Sequence, residues 1–167
     1  MMSQQHLMDY TAELDDDAEF NLMHNKYLVF SLAKEQYALP ASYISEIIGM
    51  QSITAVPNVA EYIQGVINLR GKVISVFDTR IRLGLPIVHY GERTCIIITH
   101  HENFGDTGFI VDAVVEVADV REEQISAPPA TLKGYRSRFL KGMIQHGDVV
   151  RMVLDIETML RDEINEP

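Results

Sequence analysis

Tyr62-Ile63-Gln64-Gly65-Val66-Ile67-Asn68 returns in altered form as Phe139-Leu140-Lys141-Gly142-Met143-Ile144-Gln145. The likeness continues at fixed spacing, with Val73, Val76, Asp78 and Leu83 matched by Val150, Val153, Asp155 and Leu160. Upstream, Ile44-Ser45-Glu46-Ile47 is echoed by Val114-Val115-Glu116-Val117. Self-similarity at this period points to two copies of one small β unit. A pair of small units has no large central cavity for chemistry, but it has two outer surfaces and a groove between them. Such a body suits docking better than catalysis.

Outward from the repeat, the chain reads as short runs rich in Val, Ile, Tyr and Phe, punctuated by Gly, Pro or Asn. That is the pattern of small β architectures. Five strands are expected in the first copy, at about 27–32, 36–39, 43–48, 65–69 and 72–77. Five more are expected in the second, at about 94–100, 108–111, 113–118, 139–145 and 149–154. Tight turns at Arg70-Gly71 and Gly147-Asp148 join the last two strands of each copy, since Gly accepts the positive φ of short hairpins. Asp78 and Asp155 each end a strand at the same place in their copies and precede a helical turn, which suits them to N-capping. A C-terminal helix over about 155–165 carries Ile156, Met159, Leu160 and Ile164 on one stripe. The first copy's strands are often apolar on both faces, so their outward residues need cover from the other unit or from partners. The expected division is a tail over 1–24, a first barrel over about 25–85 and a second over about 90–155, within a domain of 25–162.

Composition excludes several function classes. The formal charge of −10 argues against nucleic acid, whose phosphates call for a basic stripe. Much of that charge is local, because Asp9, Glu13, Asp15, Asp16, Asp17 and Glu19 precede the first Lys or Arg, Lys26. Residues 1–24 therefore read as a flexible acidic tail, although Leu7, Met8, Leu14, Phe20 and Leu22 are apolar groups able to dock. No run approaches the ~20 apolar residues of a membrane helix, and the N-terminus lacks the features of a secretory signal, so a cytoplasmic location without membrane insertion is expected. The lone Cys95, in the run Cys95-Ile96-Ile97-Ile98, reads as a buried structural thiol.

No sequence context nominates a nucleophile, no Gly-rich phosphate loop follows a strand, and no cofactor signature is present. His100 and His101 point to opposite faces of an extended chain and do not chelate one ion together, so they read as solvated hairpin-tip residues and no metal is expected. What remains is the difference between the copies. The first hairpin carries Asn68-Leu69-Arg70-Gly71 where the second has Gln145-His146-Gly147-Asp148. Turn geometry alone does not require Arg70, and arginine suits bidentate capture of a carboxylate at an interface, with Glu46 available to hold it ready.

The segments YIQGVINLRGKVISVFDTR at 62–80 and FIVDAVVEVADVREEQISAPP at 109–129 resemble the two most recognisable segments of the CheW-like family of chemosensory adaptors. The resemblance implies an all-β fold of two five-stranded SH3-like β-barrels related by internal duplication, with terminal strands open to exchange and a short C-terminal helix. It also implies a non-enzymatic scaffold that grips the cytoplasmic hairpin tip of a chemoreceptor and binds the regulatory domain of a chemotaxis histidine kinase in array rings, where copies of the chain itself are a further neighbour. Membrane-associated arrays would then be reached through partners. Carried over residue by residue, Ile44 and Glu46 match one side of the receptor groove, Gly65 and Arg70 the other, and Val117 a groove position from the second barrel. Asn68, Leu69 and Gly71 complete the hairpin motif. Phe77 and Thr79 depart from the family's smaller or aliphatic residues, and the acidic tail is a second departure. The competing expectations are a small-molecule-sensing β-barrel regulator and an adaptor of a twitching-motility pathway.

Overall fold

A computed structural model describes residues 24–161. The first copy supplies β1 (Lys26–Leu32), β2 (Glu35–Pro40), β3 (Ile44–Gly49), β4 (Ile63–Leu69) and β5 (Lys72–Asp78). The second supplies β6 (Cys95–His101), β7 (Gly105–Val111), β8 (Ala113–Asp119), β10 (Leu140–His146) and β11 (Val149–Leu154). A two-residue strand, β9 (Ile125–Ser126), has no counterpart among the ten expected from the sequence. Short helices α1 (Thr79–Arg82) and α2 (Ile156–Leu160) follow β5 and β11, N-capped by Asp78 and Asp155. Apart from His24, the acidic tail lies outside the described residues, as does Ile164 of the expected helix stripe.

The fold is all-β, and the copies exchange their first two strands. One sheet runs β3-β6-β7-β5-β4 and the other β8-β1-β2-β11-β10-β9. Each therefore holds the third, fourth and fifth strands of one copy and the first two of the other. The joins are equivalent parallel pairs, β5 with β7 and β2 with β11. The contiguous barrels expected at about 25–85 and 90–155 follow the chain and not the sheets. Alternation tells a strand which face to bury but not which neighbour to choose, and a strand apolar on both faces fits either sheet.

Burial shows why such strands are needed. Ile48, Ile67, Ile74, Val76, Ile96, Ile98 and Ile110 form one cluster drawn from all five strands of the first sheet. Its members on β3 and β4 belong to one cluster although these are the sheet's opposite edges, so the sheet curls around it. The second sheet encloses Val29, Ala38, Ile144 and Val153 with Val120 in the same way. The outward faces then pack on each other. Leu28, Phe30 and Leu32 of β1 join Ile97 of β6, Phe109 and Val111 of β7, and Ile156, Met159 and Leu160 of α2 in the largest core. At ~25 cal/mol per Å2 of apolar surface removed from water, this interface fixes the two sheets as one body.

Two polar joints lock the arrangement. At the crossover from β7 to β8, the Asp112 carboxylate accepts from Arg80 Nε at 2.8 Å and from the Ala33 N–H at 2.9 Å. This ties α1 and the β1–β2 turn to the point where the chain changes sheets. The second joint is Arg82, fully buried, whose guanidinium donates from Nε to the Met159 carbonyl at 2.8 Å and from Nη2 to the Thr158 carbonyl at 3.2 Å. These carbonyls belong to the C-terminal turn of α2, where orphan acceptors need donors. The same guanidinium lies 4.2 Å from the Tyr62 ring centroid and 5.0 Å from that of Phe139. These rings are the equivalent first residues of the repeated motif, so both copies close on one cation.

Arg82→Met, which keeps much of the stem but removes the donors, should lower stability by ~3 kcal/mol or more, because buried carbonyls left unsatisfied cost ~1–3 kcal/mol each. The check is the urea midpoint, and a midpoint matching the parent would contradict the capping role. Burial opposes the charge of Asp112, yet Arg80 and the Ala33 N–H outweigh it and hold the carboxyl below the usual carboxylate range. A depressed folded pKa stabilises above the unfolded value of ~3.9, and that contribution is lost as pH falls below it. Asp112→Asn should therefore lower the urea midpoint at neutral pH and make its fall below about pH 4 shallower than in the parent chain.

Candidate functional site

Leu69 pairs with Lys72, leaving Arg70-Gly71 as a two-residue loop. Both loop residues have positive φ, 51° and 86°, the signature of a type I′ turn. Asn68 Oδ1 accepts the Gly71 N–H at 2.9 Å and closes it. Arg is a costly choice here, since the left-handed region penalises a residue with a Cβ by ~1–2 kcal/mol. The second copy avoids that cost. In its loop, Gly147-Asp148, only Gly147 has positive φ, at 61°, which is the type II′ pattern. Ala33 and Lys34 in the β1–β2 turn also have positive φ, at 52° and 68°, so what sets the Arg70 hairpin apart is that its counterpart in the second copy gives this conformation to glycine.

The Arg70 guanidinium forms an ion pair with Glu46 on β3. A bulge between Ile44 and Glu46 sets that meeting up, with Ser45 Oγ donating to the Ile98 carbonyl at 3.2 Å. Because of the extra residue, Ile44 and Ile47 both pack on the inter-sheet core while Glu46 turns to the other face. The Arg70 side chain is 67% exposed and that of Glu46 9%. The buried acid therefore positions a guanidinium whose remaining donors face solvent.

Glu46, Leu69 and Arg70 line one groove of ≈ 400 Å3. Its base is aliphatic, from Ile74 and Ile98, and its far wall carries Lys72, His100 and Asp106. His100 Nδ1 lies 2.7 Å from Asp106 Oδ1, and Lys72 Nζ lies 3.3 Å from Oδ2. The His100 contact and Lys72 hold the Asp106 carboxyl below its usual range. Ile74 and Ile98 are each 2% exposed and belong to the sheet's own core, so the half-exposed Leu69 is the accessible apolar side chain between two charged rims. The hydroxyl in the groove, on Ser45, donates to a main-chain carbonyl, and no group of three or more His, Cys, Asp and Glu side chains suits a metal among the described residues.

The structure separates the residues nominated from sequence. Glu46, Asn68, Leu69, Arg70 and Gly71 come together at the hairpin and groove. Ile44 and Val117 sit on the sheet-edge strands β3 and β8, half-buried against the inter-sheet core. Gly65 has a local cause. A Cβ there would stand 2.1 Å from the Thr54 carbonyl oxygen, where Thr54 and Val66 exchange hydrogen bonds of 2.9 Å. Gly142 meets the same demand in the second copy, with a Cβ 2.5 Å from Ile125 Cγ2, where β9 crosses. The shared glycine admits a short edge segment over a bulge.

Ile98, His100 and Asp106 were not among the nominated residues. They come from the second copy and reach the groove through strand exchange. Their only sequence signal is the β6–β7 hairpin register, which sets His100 opposite Asp106. The solvated histidine pair expected at this hairpin is corrected at His101, which is 5% exposed. Its ring stacks on Tyr43 and lies against Phe104, its Nδ1 accepts the Asn103 N–H at 3.0 Å, and its Nε2 faces Glu157. Cys95 is half-buried, and burial pushes its thiol up to about 11, which keeps it protonated at neutral pH.

No helix of the described residues is long and apolar enough to cross a membrane. The CheW-like domain family matches residues 26–163. A chemotaxis protein CheW of Klebsiella aerogenes is 31% identical over 140 residues, covering 83% of this chain and 82% of that protein. One from Bacillus subtilis is 31% identical over 141 residues, covering 84% and 90%. The crystal structure of the scaffolding protein TtCheW from Thermoanaerobacter tengcongensis superposes with a TM-score of 0.75 at 34% identity, covering 82% of this chain and 88% of that one. With its duplicated sheets, its strained arginine hairpin and these likenesses, the chain belongs to the CheW-like family.

Proposed function

We infer that this chain is a non-enzymatic scaffold of a chemotaxis system, coupling the cytoplasmic hairpin tip of a chemoreceptor to the regulatory domain of a histidine kinase. The observation that carries the reading is Arg70, held in a strained turn by a buried acid and left open above an aliphatic groove. A receptor tip is a helical hairpin, and an amphipathic helix laid along this end sets its apolar stripe on the half-exposed Leu69. Arg70 then meets an acidic side chain at the rim. Ile44 and Val117 extend the apolar track onto the seam between the sheets. Coupling needs contacts that differ between the receptor's signalling states, and a guanidinium with donors still unused supplies a contact that can be made in one state and lost in the other.

Kinase docking in this reading uses exposed apolar strand positions, Val73 on β5, which is 73% exposed, and Val150 on β11, which is 50% exposed. Each is a small patch, so pairwise binding is modest and an array gains strength through multivalency.

Arg70→Gly separates binding from folding. Relief of the left-handed strain, ~1 kcal/mol, is set against removing Arg70 from the 9% exposed Glu46 carboxylate, ~1–3 kcal/mol, so the urea midpoint should fall modestly with the chain still folded. Capture on receptor-bearing membranes should fall about tenfold, the weight of one desolvated ionic contact of ~1.4 kcal/mol or more. Undiminished capture would sink the receptor assignment. Titration calorimetry with an isolated kinase regulatory domain should give a dissociation constant of order 1 μM or weaker, and nanomolar one-to-one binding would contradict the multivalent scheme.

A further inference from the structure

The hairpin that carries Arg70 has a second cation on its other shoulder. Leu69 and Lys72 are the pair that closes the turn, and Lys72 Nζ lies 3.3 Å from Asp106 Oδ2 at the start of β7, as Arg70 pairs with Glu46 on β3. One hairpin thus reaches an acid on each side with a cation of its own. In both pairs the acid is the inner partner. The Lys72 side chain is 75% exposed against 22% for Asp106, and that of Arg70 67% against 9% for Glu46. Each pair is neutral, yet its positive end faces solvent, with the half-exposed Leu69 beside both in one groove.

Folding does not account for Lys72. At the equivalent positions of the second copy, Gly147 stands for Arg70 and Val149 for Lys72, so a two-residue hairpin forms there without either cation. An ion pair as exposed as that of Lys72 with Asp106 adds little to stability. Lys72 is also able to serve two carboxylates at once. Its ammonium has three N–H donors, and Asp106 keeps a second partner in His100, whose Nδ1 lies 2.7 Å from Oδ1. A formal charge of −10 over the chain repels acidic partners at long range, so an acidic segment is accepted where cations point outward together.

We propose that Lys72 is a second contact for acidic side chains: the surface around Leu69 takes a helical segment that sets an apolar side chain on Leu69, one carboxylate at Arg70 and another at Lys72. This rests on the adaptor reading of the same groove and narrows it. A partner with an acidic side chain on one flank alone binds more weakly, and one with a basic side chain facing Lys72 is rejected.

The test uses the full chain and membrane vesicles bearing a chemoreceptor, with capture titrated at low and high salt. Lys72→Glu should lower the apparent affinity about tenfold and Lys72→Gln about threefold, with the urea midpoint of both close to that of the parent chain. Added salt should weaken capture of the parent more steeply than capture of Lys72→Gln, because a rim charge carries part of the salt dependence. Lys133→Glu makes the same charge change at an exposed lysine between β9 and β10 of the other sheet, and it should leave capture unchanged. Capture undiminished by Lys72→Glu while Arg70→Gly still weakens it overturns the second contact and leaves the adaptor reading standing. Capture undiminished by either variant overturns both. An equal fall with Lys72→Glu and Lys133→Glu reduces the effect to net charge and also overturns the proposal.

Discussion

Reciprocal exchange of the first two strands is the constraint on which the other features depend. Neither copy can close its sheet from its own strands in this arrangement, because β1 and β2 pair with β8 and β11 while β6 and β7 pair with β3 and β5. The two sheets are therefore committed to each other by main-chain hydrogen bonds as well as by side-chain packing. Exchanged strands run through the middle of each sheet and are buried on both faces, one toward a small aliphatic core and one toward the shared core. This is the sheet geometry that calls for runs such as Cys95-Ile96-Ile97-Ile98 in place of simple alternation.

The same exchange makes the groove beside Arg70 composite. Its strained hairpin belongs to the first copy, and Ile98, His100 and Asp106 on its base and far wall belong to the second. A duplicated chain would otherwise present the same surface twice. Here the two hairpins have diverged in turn type as well as in side chain: the first carries Arg70 at positive φ with Glu46 behind it, and the second assigns that conformation to Gly147. Positive φ at Arg70 and the burial of Glu46 are costs that the second copy's hairpin does without. Their concentration at one hairpin tip distinguishes the two ends of an otherwise symmetric frame.

Arg82 shows a different use of arginine within the same chain. Its charge is enclosed between Tyr62 and Phe139 and spent on the carbonyls that end α2. One guanidinium thus ties the equivalent first residues of both repeats to the C-terminal helix, whereas Arg70, twelve positions earlier, pairs with Glu46 and leaves the rest of its guanidinium to solvent. Sequence distance says little about these opposite roles. What decides them is whether the side chain points into the seam between the sheets or out of a hairpin tip.

The amino-acid sequence by itself determined the duplicated β class, ten of the strands within a residue or three at each end, both two-residue hairpins and the capping aspartates, because these follow from local periodicity and turn chemistry. It also singled out Arg70 with Glu46, through the difference between copies and through family resemblance. Tertiary structure alone decided which strands share a sheet, since pairing across the copies leaves no trace in alternation. It likewise decided that Ile44 and Glu46 face opposite ways, because a bulge adds one residue to the count. The role of Gly65 beneath Thr54 and the burial of His101 against Tyr43 belong to the same class, for each rests on a contact outside the strand pattern that only folding brings about.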